Sequence, residues 1–414
     1  MQHDICRIAA NPSAHRHAEA RGCSPSPMPR AAAPGRTSTL SQPRFDLADL
    51  VRRSQAMARG AGLGGFAGPP DVGALREVPE FGSNPGQLRM LDYVPDGLPP
   101  GAPLVLVLHG CGQTAAGYDR GSGWSQLAAR HGFALLFPEQ RPANNPNRCF
   151  NWFEPGDTRR EGGEAASIAQ MLEAMLARHR LDPARVFVTG LSAGGAMASA
   201  MLATHPERFA AGAIIAGLPY GAAQSIPEAF EAMATGRPRP AAAWAEAVRH
   251  ASPHRGPWPR LSIWQGSADA TVRPVNAEQI LAQWLGLHGP AIAAEAESAP
   301  GPGHRLRLWR GPDGRPLLEL HLIEGMGHGV PIAPGTAAPA SGEPPLGEAG
   351  PYMLDVGIAS TAAIAGFFGL VGATPAAGGA AGPAPGPAAP GLLGRLDPRP
   401  LLHRLLRATG LLDR

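Results

Sequence analysis

The segment RVFVTGLSAGGAMASAML, residues 185–202, constrains the fold more than any other part of this chain of 414 residues. A short apolar run leads into Gly190, Ser192 and Gly194 in the pattern GxSxG, and small residues able to form a helix follow. This order places Ser192 on a sharp turn between a strand and a helix. Such a turn needs glycine on both sides of the serine, because a Cβ there would clash with neighbouring elements. The pattern predicts that Ser192 is a nucleophile projecting above a sheet, and the alternative is a glycine–serine turn without a chemical role.

Short apolar runs alternate with stretches of helical period from Leu88 onward. This alternation is typical of an α/β fold, in which a mainly parallel sheet carries crossover helices on both faces. The clearest helix has an apolar face formed by Ile168, Met171, Leu172, Met175 and Leu176. The predicted strands are residues 88–94, 104–108, 133–137, 185–189, 213–216, 261–264 and 317–323.

Composition divides the chain into segments around one catalytic domain at residues 88–370. The insertion at 222–259, rich in proline and alanine, is predicted to form part of a lid or pocket wall. The flanking segments are a disordered leader at 1–44, a helix and connector at 45–87, a linker of alanine, glycine and proline at 371–391, and a short basic amphipathic tail at 392–414.

Charge and cysteine content exclude several classes of function. The chain has 36 basic and 33 acidic residues and a net charge of +3, and its arginines are scattered, so no nucleic-acid partner is expected. No run is long and apolar enough for a membrane span, and the first forty residues lack the apolar core of a secretory signal. The four cysteines form no close pair of the kind that binds zinc, so no metal is expected.

A serine nucleophile requires a histidine to accept its proton and a carboxylate to orient that histidine. Asp269 follows the strand at 261–264, and His328 follows the strand at 317–323, which gives the order serine, acid, histidine. Loops after parallel strands gather at one edge of a sheet. We therefore predict that Asp269 is the acid and His328 the base.

Other residues are weaker alternatives for both roles. Glu324 is the second choice for the acid. His321 lies within a predicted strand, and His288 and His304 are expected in loops that no strand end precedes. Because an isolated histidine is a catalyst only in a minority of cases, we interpret these three as structural.

An oxyanion hole is expected from two backbone amides, one after Ser192 and one after an early strand. The amide of Ala193 fills the first place, and the amide of Cys111 in the segment LHGCGQTAAGYD fills the second. Gly110 would allow the backbone to approach the substrate closely. His109 is interpreted as a structural histidine that bonds to the backbone.

Several segments together resemble the poly(3-hydroxybutyrate) depolymerase family of esterases. They are LHGCGQTAAGYDRGSGW, GFALLFPEQ, RCFNWFEPGD, GGEAASI, TGLSAGGAMA, GMGHGVPI and GPYMLDVGIAST, in matching order over residues 88–370. The resemblance implies an α/β-hydrolase fold and ester hydrolysis without a cofactor or metal. It also implies the roles already given to Ser192, Asp269 and His328, because these residues match the family's motifs.

The same resemblance places the loop around Cys149 beside the substrate pocket. Asn151 and Trp152 are the expected substrate-binding residues, with Trp152 on the acyl chain, although an aromatic residue there could equally belong to the core. Cys111 and Cys149 would lie on loops at one end of the sheet. They are either a disulfide or, in a reducing compartment, two buried thiols.

The predicted activity is that of a serine esterase, a carboxylic ester hydrolase that acts on short 3-hydroxybutyrate esters or oligomers. The alternatives are a feruloyl or acetylxylan esterase, or a non-catalytic module that binds polyester granules through residues 392–414. The family is commonly exported, which implies an extracellular location, but no signal peptide is visible, so the sequence leaves the compartment open.

Overall fold

The computed structural model describes residues 73–289, 292, 296–335 and 344–371. The predicted leader, the helix of the 45–87 segment, the linker beyond residue 371 and the tail at 392–414 lie outside the described residues. The strands are β1 (Arg76–Glu77), β2 (Arg89–Tyr93), β3 (Leu104–Leu108), β4 (Ala134–Glu139), β5 (Val186–Leu191), β6 (Ala211–Ile215), β7 (Arg260–Gly266), β8 (Ala296–Gly301), β9 (His304–Arg310), β10 (Pro316–Ile323), β11 (Val330–Ile332) and β12 (Met353–Asp355). The helices are α1 (Ala115–Ser122), α2 (Trp124–His131), α3 (Pro155–Thr158), α4 (Gly163–His179), α5 (Ala193–Thr204), α6 (Ile226–Thr235), α7 (Ala241–Ala251), α8 (Val275–His288) and α9 (Ser360–Phe368).

Ten strands form one sheet in the order β1-β2-β4-β3-β5-β6-β7-β10-β9-β8. The strands from β4 to β10 in this order run parallel, and antiparallel strands complete both edges. β11 and β12 form a separate parallel pair. The carboxyl ends of the parallel strands meet at one edge, which is where an open α/β sheet places its ligand site.

Both faces of the sheet are covered, so its central strands are buried along their whole length. One apolar layer contains Met171 from α4, Met201 from α5 and Trp284 from α8. The opposite layer contains Trp124 from α2 and Phe368 from α9. This arrangement confirms the predicted α/β fold with helices on both faces.

The apolar face predicted between residues 168 and 176 lies on helix α4. Ile168, Met171, Leu172 and Met175 are buried in the layer beneath the helix, and Leu176 packs against the same layer. The left-handed Arg180 ends the helix with its amide bonded to the Leu176 carbonyl. The spacing of apolar residues was therefore sufficient to find this element.

The hairpin of β8 and β9 was not predicted, and it corrects the interpretation of two histidines. His304 is the first residue of β9, and His288 is the last residue of α8, so neither lies in a loop. β9 reads HRLRLWR, with charged residues on its exposed positions. Such alternation is typical of a partly exposed antiparallel strand, here the neighbour of the edge strand β8, and it lacks the continuous apolar run of the buried parallel strands.

The segment predicted as an insertion at 222–259 contains helices α6 and α7. These helices enclose a third apolar cluster, which includes Trp244 from α7 and Ala196 from α5. Trp152 and Met233 pack against this cluster from partly buried positions. The insertion therefore contributes to an apolar wall that contacts α5, the helix that follows Ser192.

Candidate active site

Ser192 lies between the last residue of β5 and the first residue of α5. Its backbone has φ 56° and ψ −117°, a conformation that a residue with a side chain rarely adopts. Its amide donates to the Ile215 carbonyl at 2.9 Å, and the residue is 8% exposed. Backbone strain of this kind persists where the surrounding structure enforces it, and it clusters at functional sites.

The flanking glycines are required by two close approaches of backbone. A Cβ on Gly190 would lie 2.4 Å from the Gly194 carbonyl oxygen. A Cβ on Gly194 would lie 2.3 Å from the Leu108 carbonyl oxygen. The GxSxG pattern therefore lets the first turn of α5 press against both its own strand and the end of β3.

This contact brings the start of α5 beside the turn that follows β3, where the second predicted oxyanion donor lies. The amide of Ala193 belongs to the first turn of a helix, whose N–H groups have no intrahelical acceptor. The turn around Cys111 is fixed on both sides, since Gly110 donates to Gln113 Oε1 at 2.8 Å and Gly112 donates to the Asn147 carbonyl at 2.7 Å. Two backbone segments with N–H groups thus meet beside Ser192.

The His109 side chain is hydrogen-bonded to this turn and to the end of β4. Its Nδ1 donates to the Gly110 carbonyl at 2.8 Å, and its Nε2 accepts from the Gln140 amide at 3.1 Å. These two bonds require the neutral imidazole, and burial lowers the pKa of His109 accordingly. The side chain bonds to backbone on both sides, as expected for a structural histidine.

His328 and Asp269 are hydrogen-bonded at the same edge of the sheet. His328 Nδ1 donates to Asp269 Oδ2 at 2.7 Å, and the Asp269 side chain is fully buried. Asp269 Oδ1 accepts from the amides of Thr271 and Val272, each at 2.9 Å. These bonds compensate the cost of burying a carboxylate and fix its orientation.

Gln265 is a further residue of this site, and the sequence analysis did not predict it. Its Nε2 donates to Asp269 Oδ2 at 3.1 Å and to the Val272 carbonyl at 3.1 Å. The residue is 1% exposed and lies near the end of β7. A glutamine in an otherwise apolar strand, just before the acid loop, was the available signal.

The loops that carry Asp269 and His328 are bonded to one another. Ser267 donates to the Ile323 carbonyl at 2.9 Å, and Ala268 donates to the Met326 carbonyl at 3.0 Å. A Cβ on Gly266 would lie 2.3 Å from the Met326 carbonyl oxygen, so only glycine permits this approach. The imidazole is thereby held in place, with its ring centroid 6.0 Å from that of Tyr352.

The alternative acid and bases have other contacts. Glu324 is exposed. His321 Nδ1 and His304 Nε2 lie 2.8 Å apart, and His321 stacks on Trp264 at 3.7 Å. Burial and the neighbouring His321 lower the pKa of His304 to about 4, and burial lowers that of His288 to about 4. His304 and His288 are therefore neutral at pH 7.

Cys111 and Cys149 form a disulfide that joins the turn after β3 to the loop before Asn151. The Asn151 side chain is engaged within that loop, because its Oδ1 accepts from Asn145 at 3.0 Å and its Nδ2 donates to Asp157 at 3.2 Å. Trp152 is partly buried against the apolar cluster that includes Ala196. Of the two expected substrate-binding residues, Trp152 therefore has the apolar surroundings of a pocket wall, whereas Asn151 organises the loop.

Two kinds of feature are absent from the residue ranges that the structure describes. No group of three or more His, Cys, Asp and Glu side chains in them is arranged to hold a metal ion. None of the helices within those ranges has the length and apolarity to cross a membrane.

Comparison with known proteins assigns the family. The family model described as "Esterase PHB depolymerase" matches residues 91–303. Poly(3-hydroxyalkanoate) depolymerase C of Paucimonas lemoignei is 47% identical over 302 residues, which are 73% of this chain and 71% of that protein. Feruloyl esterase B of Thermothelomyces thermophilus is 33% identical over 262 residues, covering 62% of this chain and 88% of its own.

A solved structure supports the same assignment. The acetyl xylan esterase from Aspergillus awamori superposes with a TM-score of 0.57 at 29% identity, covering 62% of this chain and 94% of that one. Its fold and the mostly parallel sheet described above identify the architecture as an α/β-hydrolase fold. The chain therefore belongs to the PHB depolymerase family of esterases and is a carboxylic ester hydrolase.

Proposed function

We propose that this esterase hydrolyses short polyhydroxyalkanoate esters or oligomers through a triad of Ser192, His328 and Asp269. The observation that carries the proposal is the 2.7 Å bond from His328 Nδ1 to the buried Asp269 carboxylate, at the edge of the sheet where Ser192 forms its strained turn. This bond leaves Nε2 of the imidazole as the acceptor for the serine proton.

The reaction then has two steps. Ser192 Oγ attacks the ester carbonyl while His328 Nε2 takes its proton, and the amides of Ala193 and Cys111 stabilise the oxyanion. The imidazolium returns the proton to the alcohol, which leaves. In the second step His328 activates a water that cleaves the acyl-enzyme, and the acid is released.

The apolar wall beside Ser192 is an argument for a substrate with a short aliphatic acyl group. Its partly buried members are Trp152 and Met233, and its buried members include the small Ala196 and Ala222. An apolar wall favours an aliphatic acyl chain over a polar one, because a polar group buried against it would lose its hydrogen bonds to water. The 47% identity to poly(3-hydroxyalkanoate) depolymerase C supports the same class of substrate.

A second candidate is the ester of a plant polysaccharide, either feruloyl or acetyl. The acetyl xylan esterase structure with a TM-score of 0.57 and the 33% identity to feruloyl esterase B favour it. An acetyl group would also fit against this apolar wall. The two candidates differ in the alcohol and in the length of the acyl chain, so a panel of esters separates them.

The deciding experiment combines active-site labelling with that panel. A serine-directed organophosphonate should add one label to the intact protein, at Ser192, and Ser192→Ala should remove both the label and the hydrolysis. Three substrates are then compared by kcat/KM: the trimer of 3-hydroxybutyrate, methyl ferulate, and acetylated xylan. A labelled Ser192→Ala protein with normal activity would refute the mechanism, and preference for either plant ester would refute the proposed substrate.

Contact with polyester granules through residues 392–414 also belongs to this proposal. The segment has leucines beside arginines and lies outside the described residues. A chain ending at Val371 should hydrolyse a soluble ester as the full chain does, and it should sediment less with granules. Equal sedimentation of the two proteins would remove the granule contact.

A further inference from the structure

Glu164 is a buried acid that the proposed mechanism does not use. It is the second residue of α4 and is 1% exposed. Its Oε2 accepts from the Asn151 amide at 2.9 Å, and its Oε1 accepts from Gln140 Nε2. An ionisable group this deeply buried costs free energy, so its contacts indicate what it is retained for.

The two partners of Glu164 lie at opposite ends of one loop. Gln140 directly follows β4, and Asn151 precedes Trp152. Gln140 Nε2 also donates to the Cys149 carbonyl at 3.0 Å. One carboxyl group thus draws the beginning and the end of the loop 141–150 together.

This loop is attached to the turn that carries the proposed oxyanion donor. Three links join them: the Cys111–Cys149 disulfide, the 2.7 Å bond from Gly112 to the Asn147 carbonyl, and the 3.1 Å bond from the Gln140 amide to His109 Nε2. The position of the Cys111 amide therefore depends on where Gln140 and the loop are held.

The site requires a group with two acceptors. Both Gln140 Nε2 and the Asn151 amide are donors, so an amide at position 164 would turn its NH2 group toward one of them. Asp157 lies beside the carboxyl, since its Oδ1 accepts from the Glu164 amide at 3.2 Å. Burial and the charge of Asp157 raise the pKa of Glu164 to about 8, against the opposing effect of the two donors.

We propose that Glu164 is a positioning residue for ester hydrolysis, which holds the loop 141–150 so that the Cys111 amide meets the oxyanion and Trp152 meets the acyl chain. The inference rests on the proposed function, because it concerns the geometry of the same site. Glu164 acts through Gln140 and Asn151 and does not touch the substrate.

The test is Glu164→Gln, which keeps the size of the side chain and removes one acceptor. Turnover of a small soluble ester is measured at pH 9, above the pKa of Glu164, so that the wild-type carboxyl is ionised and has two acceptors. It is expressed per serine that the phosphonate can label, so that unfolded protein does not count. We expect kcat to fall about tenfold or more, since small displacements of a catalytic group cost this much, while KM changes less than about threefold. The rate of phosphonate labelling should fall by the same factor as kcat.

Two further variants keep the test decisive. Glu164→Asp retains a carboxylate on a shorter side chain and should give an intermediate kcat; it replaces Glu164→Gln if that variant does not fold. Gln140→Glu faces Glu164 with a second carboxyl group and loses the bond to the Cys149 carbonyl, so it should lower kcat at least as far as Glu164→Gln.

The matched control is Asp92→Asn. Asp92 is also 1% exposed and accepts two bonds from Arg76, but it lies on β2, near the edge of the sheet. The Asp92→Asn substitution should lower the unfolding temperature and leave kcat per labelled serine unchanged.

Two outcomes overturn the inference, and they are distinct from failure of the proposed function. Normal kcat in Glu164→Gln, with only a lower unfolding temperature as in Asp92→Asn, would reduce Glu164 to a structural residue. Loss of kcat with an unchanged labelling rate would show that the oxyanion turn is not affected. If the wild-type chain itself is neither labelled at Ser192 nor active, the proposed function fails instead.

Discussion

His328 Nδ1 donates a 2.7 Å hydrogen bond to Asp269 Oδ2, although 59 residues separate the two in the sequence. The bond spans the loops after β7 and β10, which are neighbouring parallel strands. Gly266 allows those loops to touch, and three N–H groups besides the imidazole bind the carboxylate. The pair is therefore built into the backbone of two adjacent loops, and its chemistry can be tested by substitution.

Replacing His328 should be more damaging than replacing Asp269. His328→Ala removes the proposed proton acceptor, and we expect kcat to fall by about 10⁴-fold or more. Asp269→Asn leaves an imidazole in place with a weaker orienting partner, so measurable activity should remain. Steady-state hydrolysis of a soluble ester by each variant, with circular dichroism to confirm folding, checks the order of the effects.

Glu324→Gln is the control for the acid. Glu324 is exposed, and its substitution should leave kcat within about twofold of wild type. A Glu324→Gln variant more impaired than Asp269→Asn would mean that the acid has been assigned wrongly.

Breaking the Cys111–Cys149 disulfide should affect catalysis as well as stability. The bond closes a loop across a sequence separation of 38 residues, and loss of such a bond typically costs about 2–4 kcal/mol of unfolding free energy. It also joins the Cys111 amide to the loop before Asn151, so the double variant Cys111→Ser/Cys149→Ser should have a lower kcat at temperatures where it is folded. Urea unfolding and ester hydrolysis at 20 °C or below measure the two effects separately, and unchanged kcat in the folded variant would contradict the second.

The glycines around Ser192 should not tolerate even a methyl group. Gly190→Ala would place its Cβ 2.4 Å from the Gly194 carbonyl oxygen, and backbone on both sides prevents relaxation. We expect loss of phosphonate labelling together with a lower unfolding temperature. Gly301→Ala is the control, because a Cβ on Gly301 meets no atom within 4 Å. Normal labelling of Gly190→Ala would show that the turn can adjust.

The sequence was sufficient for the parts of the molecule that depend on local pattern. Buried parallel strands are nearly continuous apolar runs, so strands such as β3 and β5 could be placed within one or two residues. Ser192 could be predicted because the turn requires glycines at fixed spacing. Strand β9 could not be predicted, because its charged residues alternate with apolar ones and the segment resembles an exposed loop.

Buried polar residues that act over long sequence separations left no such signal. Gln265 and Glu164 lie in segments whose pattern predicts only a strand and a helix, and their partners are set by the tertiary fold. The family resemblance placed Asn151 beside the substrate pocket, and its side chain bonds to Asn145 and Asp157 within its own loop. Composition alone does not distinguish a residue that binds substrate from one that orders the loop beside it.

His205 should make the folded state less stable in acid. It is 5% exposed at the end of α5, and burial together with Arg160 lowers its pKa to about 4. An unfolded histidine titrates near pH 6.5, so between pH 6.5 and 4 the unfolded state binds more protons than the folded state. Stability from this residue is therefore complete above about pH 6.5 and falls as the pH approaches 4, by about 3 kcal/mol at most.

Urea unfolding at pH 7 and at pH 4.5 measures this loss. His205→Gln cannot gain a proton, so its unfolding free energy should decrease less between the two pH values than that of the wild type. His250→Gln is the matched control for replacing a histidine, since the His250 side chain is 76% exposed and its substitution should change the unfolding free energy at pH 7 by less than about 0.5 kcal/mol. Equal losses in wild type and His205→Gln would assign the acid sensitivity to other groups, of which the buried His304 is the next to replace.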